Sequence, residues 1–170
     1  PDANIFQWQE LIVEILDSSI PKDWVIYFKE HPSNFRKPFS IASIIDRQYY
    51  ERLLRISDKV RFVPVDTDPL RLIDRSQFVA SATGTSSWQA ATRGKPAIVF
   101  GDVWFGACPA VKRVTTIKEC KEFVSRLNQD AAFDASMLVD FLARLETFAG
   151  RYDWARKNGS PITEKEAGEL

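Results

Sequence analysis

His31 is the single histidine of the chain, and it stands in the run Lys29-Glu30-His31-Pro32-Ser33, directly after the apolar stretch Trp24-Val25-Ile26-Tyr27-Phe28. Proline pushes the residue before it into extended backbone. The run therefore turns sharply at a strand end and aims the imidazole outward. An imidazole N–H in that position can donate to a phosphate oxygen. The plainer role for a lone histidine is a hydrogen bond to a neighbouring loop. Its place at a strand end, ahead of proline, favours the ligand.

Two further loops carry chemistry. Ala82-Thr83-Gly84-Thr85-Ser86-Ser87 joins a strand to a helix. Gly84 permits close backbone approach or a positive φ, and Thr85, Ser86 and Ser87 bring hydroxyls to a helix start. Free N–H groups and the helix dipole attract phosphate there. One hydroxyl suffices for an N-cap; three in a row exceed that need and read as a phosphate cradle. The third loop is Phe100-Gly101-Asp102-Val103-Trp104-Phe105-Gly106. Its glycines again allow close approach, and Trp104 or Phe105 can cover a base or a sugar, or equally cap the core.

The elements that must position these loops alternate along the chain. Trp8, Leu11, Ile12, Ile15 and Leu16 recur at helical spacing, so residues 5–18 read as an amphipathic helix. Residues 24–28 read as a strand buried on both faces. Asp46 caps a helix carrying Tyr49, Tyr50, Leu53 and Leu54 on one side. Residues 60–65 form a second strand, and Asp68-Pro69 starts a helix with Pro at its first position. Residues 77–82 are a third strand, 86–93 a helix stopped by Gly94, 97–100 a fourth strand and 112–114 a short fifth. Thr116 to Glu119 is a capping box opening a helix with Cys120, Phe123, Val124 and Leu127 inward. A last helix aligns Leu138, Phe141, Leu142, Leu145 and Phe148, and the tail after about Asn158 is polar. This alternation predicts one α/β domain with a Rossmann-like parallel sheet and helices on both faces. Neither the dinucleotide glycine fingerprint nor a P-loop is present, and ligands are expected beyond the carboxyl ends of the strands.

Composition narrows the function. With 23 Lys plus Arg against 23 Asp plus Glu, the chain is neutral and lacks the basic balance of a nucleic-acid binder. No apolar run approaches a membrane span. The first residues, Pro1-Asp2-Ala3-Asn4, lack Met and read as the edge of a fragment. Cys108 and Cys120 have no metal-ligand spacing, which fits a reducing cytoplasm, with a peripheral place at the inner membrane also compatible. Arg36, Lys37 and Arg47 read as solvated surface, and Trp154 as packing against the domain or an absent partner.

The motifs resemble a known group. Lys29-Glu30-His31-Pro32-Ser33 resembles the "HP" motif of capsule-polysaccharide biosynthesis proteins, which recurs in bacterial sialyltransferases and Kdo transferases of the GT-B fold. The run TGTSSWQAATRGKPAIVFGDVWFG, residues 83–106, is similar to that group's Gly-hydroxyl cluster, helix, Gly-Lys-Pro and strand. The resemblance spans roughly residues 5–130. It implies the C-terminal, nucleotide-sugar-binding half of a glycosyltransferase, with His31 on the donor phosphate and Thr85, Ser86 and Ser87 on the same phosphate. Many relatives have Glu where this chain has Gln89, often on the nucleotide ribose; Glu30 is a substitute. Lys29, Gly84, Gly101 and Trp104 complete the expected donor site. The implied partners are a CMP-linked sugar such as CMP-Kdo ahead of UDP- or CDP-linked ones, a glycan or glycolipid acceptor, and the N-terminal half of the same protein. No metal or other cofactor is expected. Two alternatives stand beside this: a sugar-nucleotide epimerase of the same fold, and a non-catalytic docking module whose exposed aromatics form an interface.

Overall fold

A computed structural model of the chain describes residues 4–35, 46–127 and 135–148, with backbone alone at residues 4–7, 135 and 148. Arg36, Lys37, Trp154 and the polar tail lie outside the described residues. In chain order the elements are α1 (Asn4–Asp17), β1 (Ile26–Phe28), a 3-10 turn (Pro32–Phe35), α2 (Arg47–Ile56), β2 (Val60–Phe62) and α3 (Pro69–Arg75). They continue with β3 (Val79–Ser81), α4 (Ser86–Thr92), β4 (Ala97–Val99), β5 (Val111–Arg113), α5 (Ile117–Leu127) and α6 (Ala135–Phe148).

Every strand pairing is parallel. β1 pairs with β2 in the register Ile26 to Val60. β4 lies between β3 and β5, with Ala97 opposite both Val79 and Val111. β4 has no exposed residue, and its alternate side chains point into different cores. Ala97 and Val99 pack with Ile73, Ala90, Ala91 and Phe141 from α3, α4 and α6. Ile98 packs with Ile15, Leu16, Cys120 and Val124 from α1 and α5. Helices therefore cover both faces, as the alternating pattern predicts. A third cluster joins Val13, Tyr49, Leu53 and Val60 beside β1 and β2. Trp24, just ahead of β1, packs on Phe78, just ahead of β3, at 6.3 Å between ring centroids. Among the described residues the strands form a two-stranded and a three-stranded sheet with no pairing between them, where one sheet was expected; the two share the core around Ile26, Ala80 and Ile98.

The local signals act as their chemistry requires. Asp46 accepts from Tyr49 N at 2.8 Å and Asp68 from Leu70 N at 2.9 Å, each satisfying an otherwise free amide of a helix start. Glu119 Oε2 accepts from Thr116 N while Thr116 Oγ1 accepts from Glu119 N, closing the capping box. At the end of α4, Lys95 N bonds Ala90 O and Gly94 N bonds Ala91 O. Gly94 has φ 72°, the left-handed conformation that this double bond demands.

Two expectations need correction. The first strand is shorter than residues 24–28 and is not buried on both faces: Tyr27 is 61% exposed and Val25 is also exposed. Ile26 and Phe28 turn inward against the cluster of Tyr49 and Val60, and alternation sends Tyr27 the other way. Leu54 and Leu142, placed on the inward sides of α2 and α6, are also exposed. A helix with a few buried positions per turn leaves the edge of its apolar stripe uncovered.

Gly94→Ala should cost about 1–2 kcal/mol, because a Cβ is penalised at positive φ. Urea unfolding should show a lower midpoint with an unchanged slope. An unchanged midpoint would contradict the assigned helix end.

Candidate functional site

The loop after β1 is built around its own side chains. Asn34 N donates to His31 O at 3.0 Å, which winds the chain into the 3-10 turn behind Pro32. Ser33 N reaches His31 Nδ1 at 3.2 Å and Ser33 Oγ lies 2.6 Å from the same nitrogen. With Nδ1 accepting, the proton of a neutral ring sits on Nε2. His31 is exposed, and Nε2 has no hydrogen bond among the described residues. The serine after the proline thus holds the ring with a donor turned away from the protein.

Lys29 and Glu30 serve differently. Lys29 Nζ donates to Val65 O at 2.9 Å and Glu30 O at 3.3 Å, tying the loop after β1 to the chain after β2. Glu30 is 7% exposed. Its Oε2 accepts from Asn34 Nδ2 at 2.8 Å, while Oε1 is buried with no partner among the described residues. Burial pushes the Glu30 carboxyl above its ordinary value, and the Asn34 bond offsets part of that rise.

The loop after β3 is fastened from below. Ala82 O accepts from Phe100 N at 3.2 Å and Gly101 N at 2.9 Å, which ties it to the end of β4. Ser87 is fully buried, and its Oγ donates to Ile98 O at 2.9 Å and lies 2.7 Å from Ser81 Oγ. This corrects its expected role among the ligand-facing hydroxyls: its side chain is committed to the interior, where it secures α4 against β4. Thr85 occupies the N-cap position of α4 without a side-chain cap bond. The Thr85 and Ser86 hydroxyls, and the amides of Ser86, Ser87 and Trp88, have no hydrogen-bond partner among the described residues. Gln89, one turn further on, is exposed and its amide is held by Thr85 O at 2.9 Å.

The glycine roles also shift. Gly84 does not adopt positive φ, and a Cβ there would meet Ser81 at an ordinary 3.5 Å. Gly101 carries the steric demand: a Cβ would stand 2.6 Å from Thr83 Cγ2. A side chain at 101 would force Thr83 to turn aside from the closure of this turn on the loop after β3.

Trp104 is 60% exposed and packs against Trp88 at 5.0 Å and Phe105 at 5.2 Å. It borders a shallow hollow of about 370 Å³ with Gly101, Asp102 and Arg113, the last two joined by an ion pair of 2.9 Å. Trp88 and Arg113 join this region without a signal in the sequence, and Asp102, inside the expected loop, carries an ion pair that the loop alone does not announce. The sequence reading missed Asn34 and Tyr50 around Glu30. Asn34 was legible in hindsight from its spacing of four from Glu30; the Asp102–Arg113 pair joins two loops, and no local pattern announces it.

Among the described residues no group of three or more His, Cys, Asp or Glu side chains is arranged to hold a metal ion, and no helix is long and apolar enough to cross a membrane. No family model, curated protein or solved structure was found to match the chain.

Because the folded state binds the Glu30 proton more tightly than the unfolded chain does, stability should fall as pH rises above the ordinary carboxyl range near 4.5. Glu30→Gln keeps an acceptor for Asn34 and removes the charge. It should raise the melting temperature near neutral pH, with the gain vanishing at pH values below that range. A gain that is equal at all pH values would remove burial of the charge as its cause.

Proposed function

We propose that this chain is the nucleotide-sugar-binding half of a GT-B glycosyltransferase of bacterial capsule or surface-polysaccharide synthesis, its α/β layers forming a Rossmann-like domain. One observation carries the reading: uncommitted donors on two loops, one after β1 and one after β3, each of which is paired in parallel with its own neighbour. His31 Nε2 follows β1, held by Ser33. The Ser86, Ser87 and Trp88 amides and the Thr85 and Ser86 hydroxyls follow β3. Such donors suit an anion with several oxygens, and a phosphate ester is the simplest of these.

In this reading the donor phosphate gains charge as the sugar leaves. Donors already fixed in place stabilise that charge without reorganising. The Ser87 bond to Ile98 and the Gly101 N–H bond to Ala82 O tie down the β3 loop, which is what preorganisation requires. Trp104, exposed on the neighbouring loop, is available to cover a flat or sugar ring. Gln89 offers its amide to a ribose hydroxyl. A CMP-linked donor is the first choice, with UDP- and CDP-linked ones behind it. The acceptor and the catalytic carboxylate come from the N-terminal half, so the chain alone binds without turnover.

A second reading has its own support. Trp8 and Leu11 on α1 and Met137, Val139 and Leu142 on α6 are exposed apolar side chains, which suit a docking module. In that case the two loops need bind nothing.

Titration with CMP, CMP-Kdo, UDP and CDP separates the two. The donor reading expects saturable binding, weakened about 10- to 100-fold in His31→Ala by loss of a charge-assisted bond. A folded His31→Ala variant with unchanged affinity, or no binding of any nucleotide at millimolar concentration, would overturn it.

A further inference from the structure

A second recess lies beyond β1 and β2, on the α2 side of the loop that carries His31. It has a volume of about 550 Å³, and its walls are largely apolar. Phe28, Tyr50 and Phe62 form one continuous aromatic wall: Phe28 meets Phe62 edge-on at 5.6 Å, and Tyr50 meets Phe62 edge-on at 5.0 Å. Glu30 also lines the recess. One of its oxygens is held by Asn34; the other, Oε1, is buried and unmatched among the described residues.

A buried carboxyl oxygen without a partner is costly and rare in native structures. Asn34 fixes the carboxyl's orientation, so the unmatched oxygen is held in place. Arg47, the one cation on the recess among the described residues, is paired with Glu51 at 2.6 Å. Glu30 is one of the walls of the recess, and Oε1 is the part of it that the described residues leave unmatched.

We propose that this recess takes the flat ring of an amino-bearing nucleobase, with Glu30 Oε1 accepting from the exocyclic amino group. The aromatic wall supplies ring contacts that any flat heterocycle can use. The carboxylate supplies selection, because an ionised carboxyl only accepts. An amino group matches it, as a carboxylate accepting from cytosine N4 does in nucleic-acid readout. A carbonyl at the same ring position sets two acceptors against each other. Glu30 is thus a specificity-determining residue. Its chain neighbour His31 belongs to the phosphate-binding rim, so one nucleotide can span both; this part of the inference rests on the donor reading given above.

The test measures binding of cytidine, uridine, CMP, UMP and ribose 5-phosphate to the native chain and to Glu30→Gln by calorimetry. The amide oxygen of Gln can serve Asn34, which turns its NH₂ toward the recess and converts an acceptor into a donor. The native chain should bind CMP at least about tenfold more tightly than UMP, the size of one charge-assisted bond. Glu30→Gln should abolish or invert that preference and leave ribose 5-phosphate unchanged. Equal affinity for CMP and UMP, or the same preference in both proteins, overturns the proposal. Binding of ribose 5-phosphate with no added affinity from the base sinks the recess and spares the donor reading. Glu30-dependent binding of cytidine without binding of ribose 5-phosphate sustains the recess and sinks the phosphate rim. No binding of any of the five defeats both.

Discussion

The structure depends on β4, three residues that expose no surface on either face. Ala97 and Val99 are clamped by α3, α4 and α6, and Ile98 by α1 and α5. With both faces and both edges of the strand occupied, the only place left to build anything is beyond its ends. At the carboxyl end the chain does so with few atoms. Phe100 N and Gly101 N converge on Ala82 O, and Ser87 Oγ reaches back to Ile98 O. These bonds fix the start of α4 relative to the sheet. The amides of its first turn are left over, unspent by the fold.

The loop after β1 follows the same economy by other means. Ser33 occupies His31 Nδ1, and the Asn34 side chain occupies half of the Glu30 carboxyl. In each case one end of a polar side chain is anchored and the other is left unmatched. Lys29, by contrast, gives two of its three N–H donors to backbone carbonyls, Glu30 O in its own loop and Val65 O in the chain after β2. Such half-anchored groups stay available to a ligand, which is the use that the proposed donor site makes of them.

Much of the fold was legible because its signals are local. Asp46, Asp68-Pro69, Thr116 with Glu119, and Gly94 each act within four residues of themselves, and each acts in the structure as its chemistry predicts. The parallel pairing followed from alternation of strands and helices. What the sequence hid was set by neighbours distant in the chain. Ser87 looked like its neighbours Thr85 and Ser86, and only the position of Ile98 turns it inward. Gly84 and Gly101 were equivalent on paper; Thr83 lies 2.6 Å from a Cβ at one of them, not the other. Tyr27 seemed part of a buried run, yet no helix among the described residues covers its side of β1. The burial of Glu30 is likewise a product of packing, and a motif read as KEHPS cannot display it.

The central claim is that the histidine after β1 and the first turn of α4 act on one anion. The direct measurement is an NMR titration with a nucleoside monophosphate, following the His31 ring nitrogens together with the amides of Ser86, Ser87 and Trp88. Movement of His31 Nε2 and of these amides along a single binding curve is the expected result. Amides that shift while the imidazole stays still, or two curves with separate affinities, would contradict it.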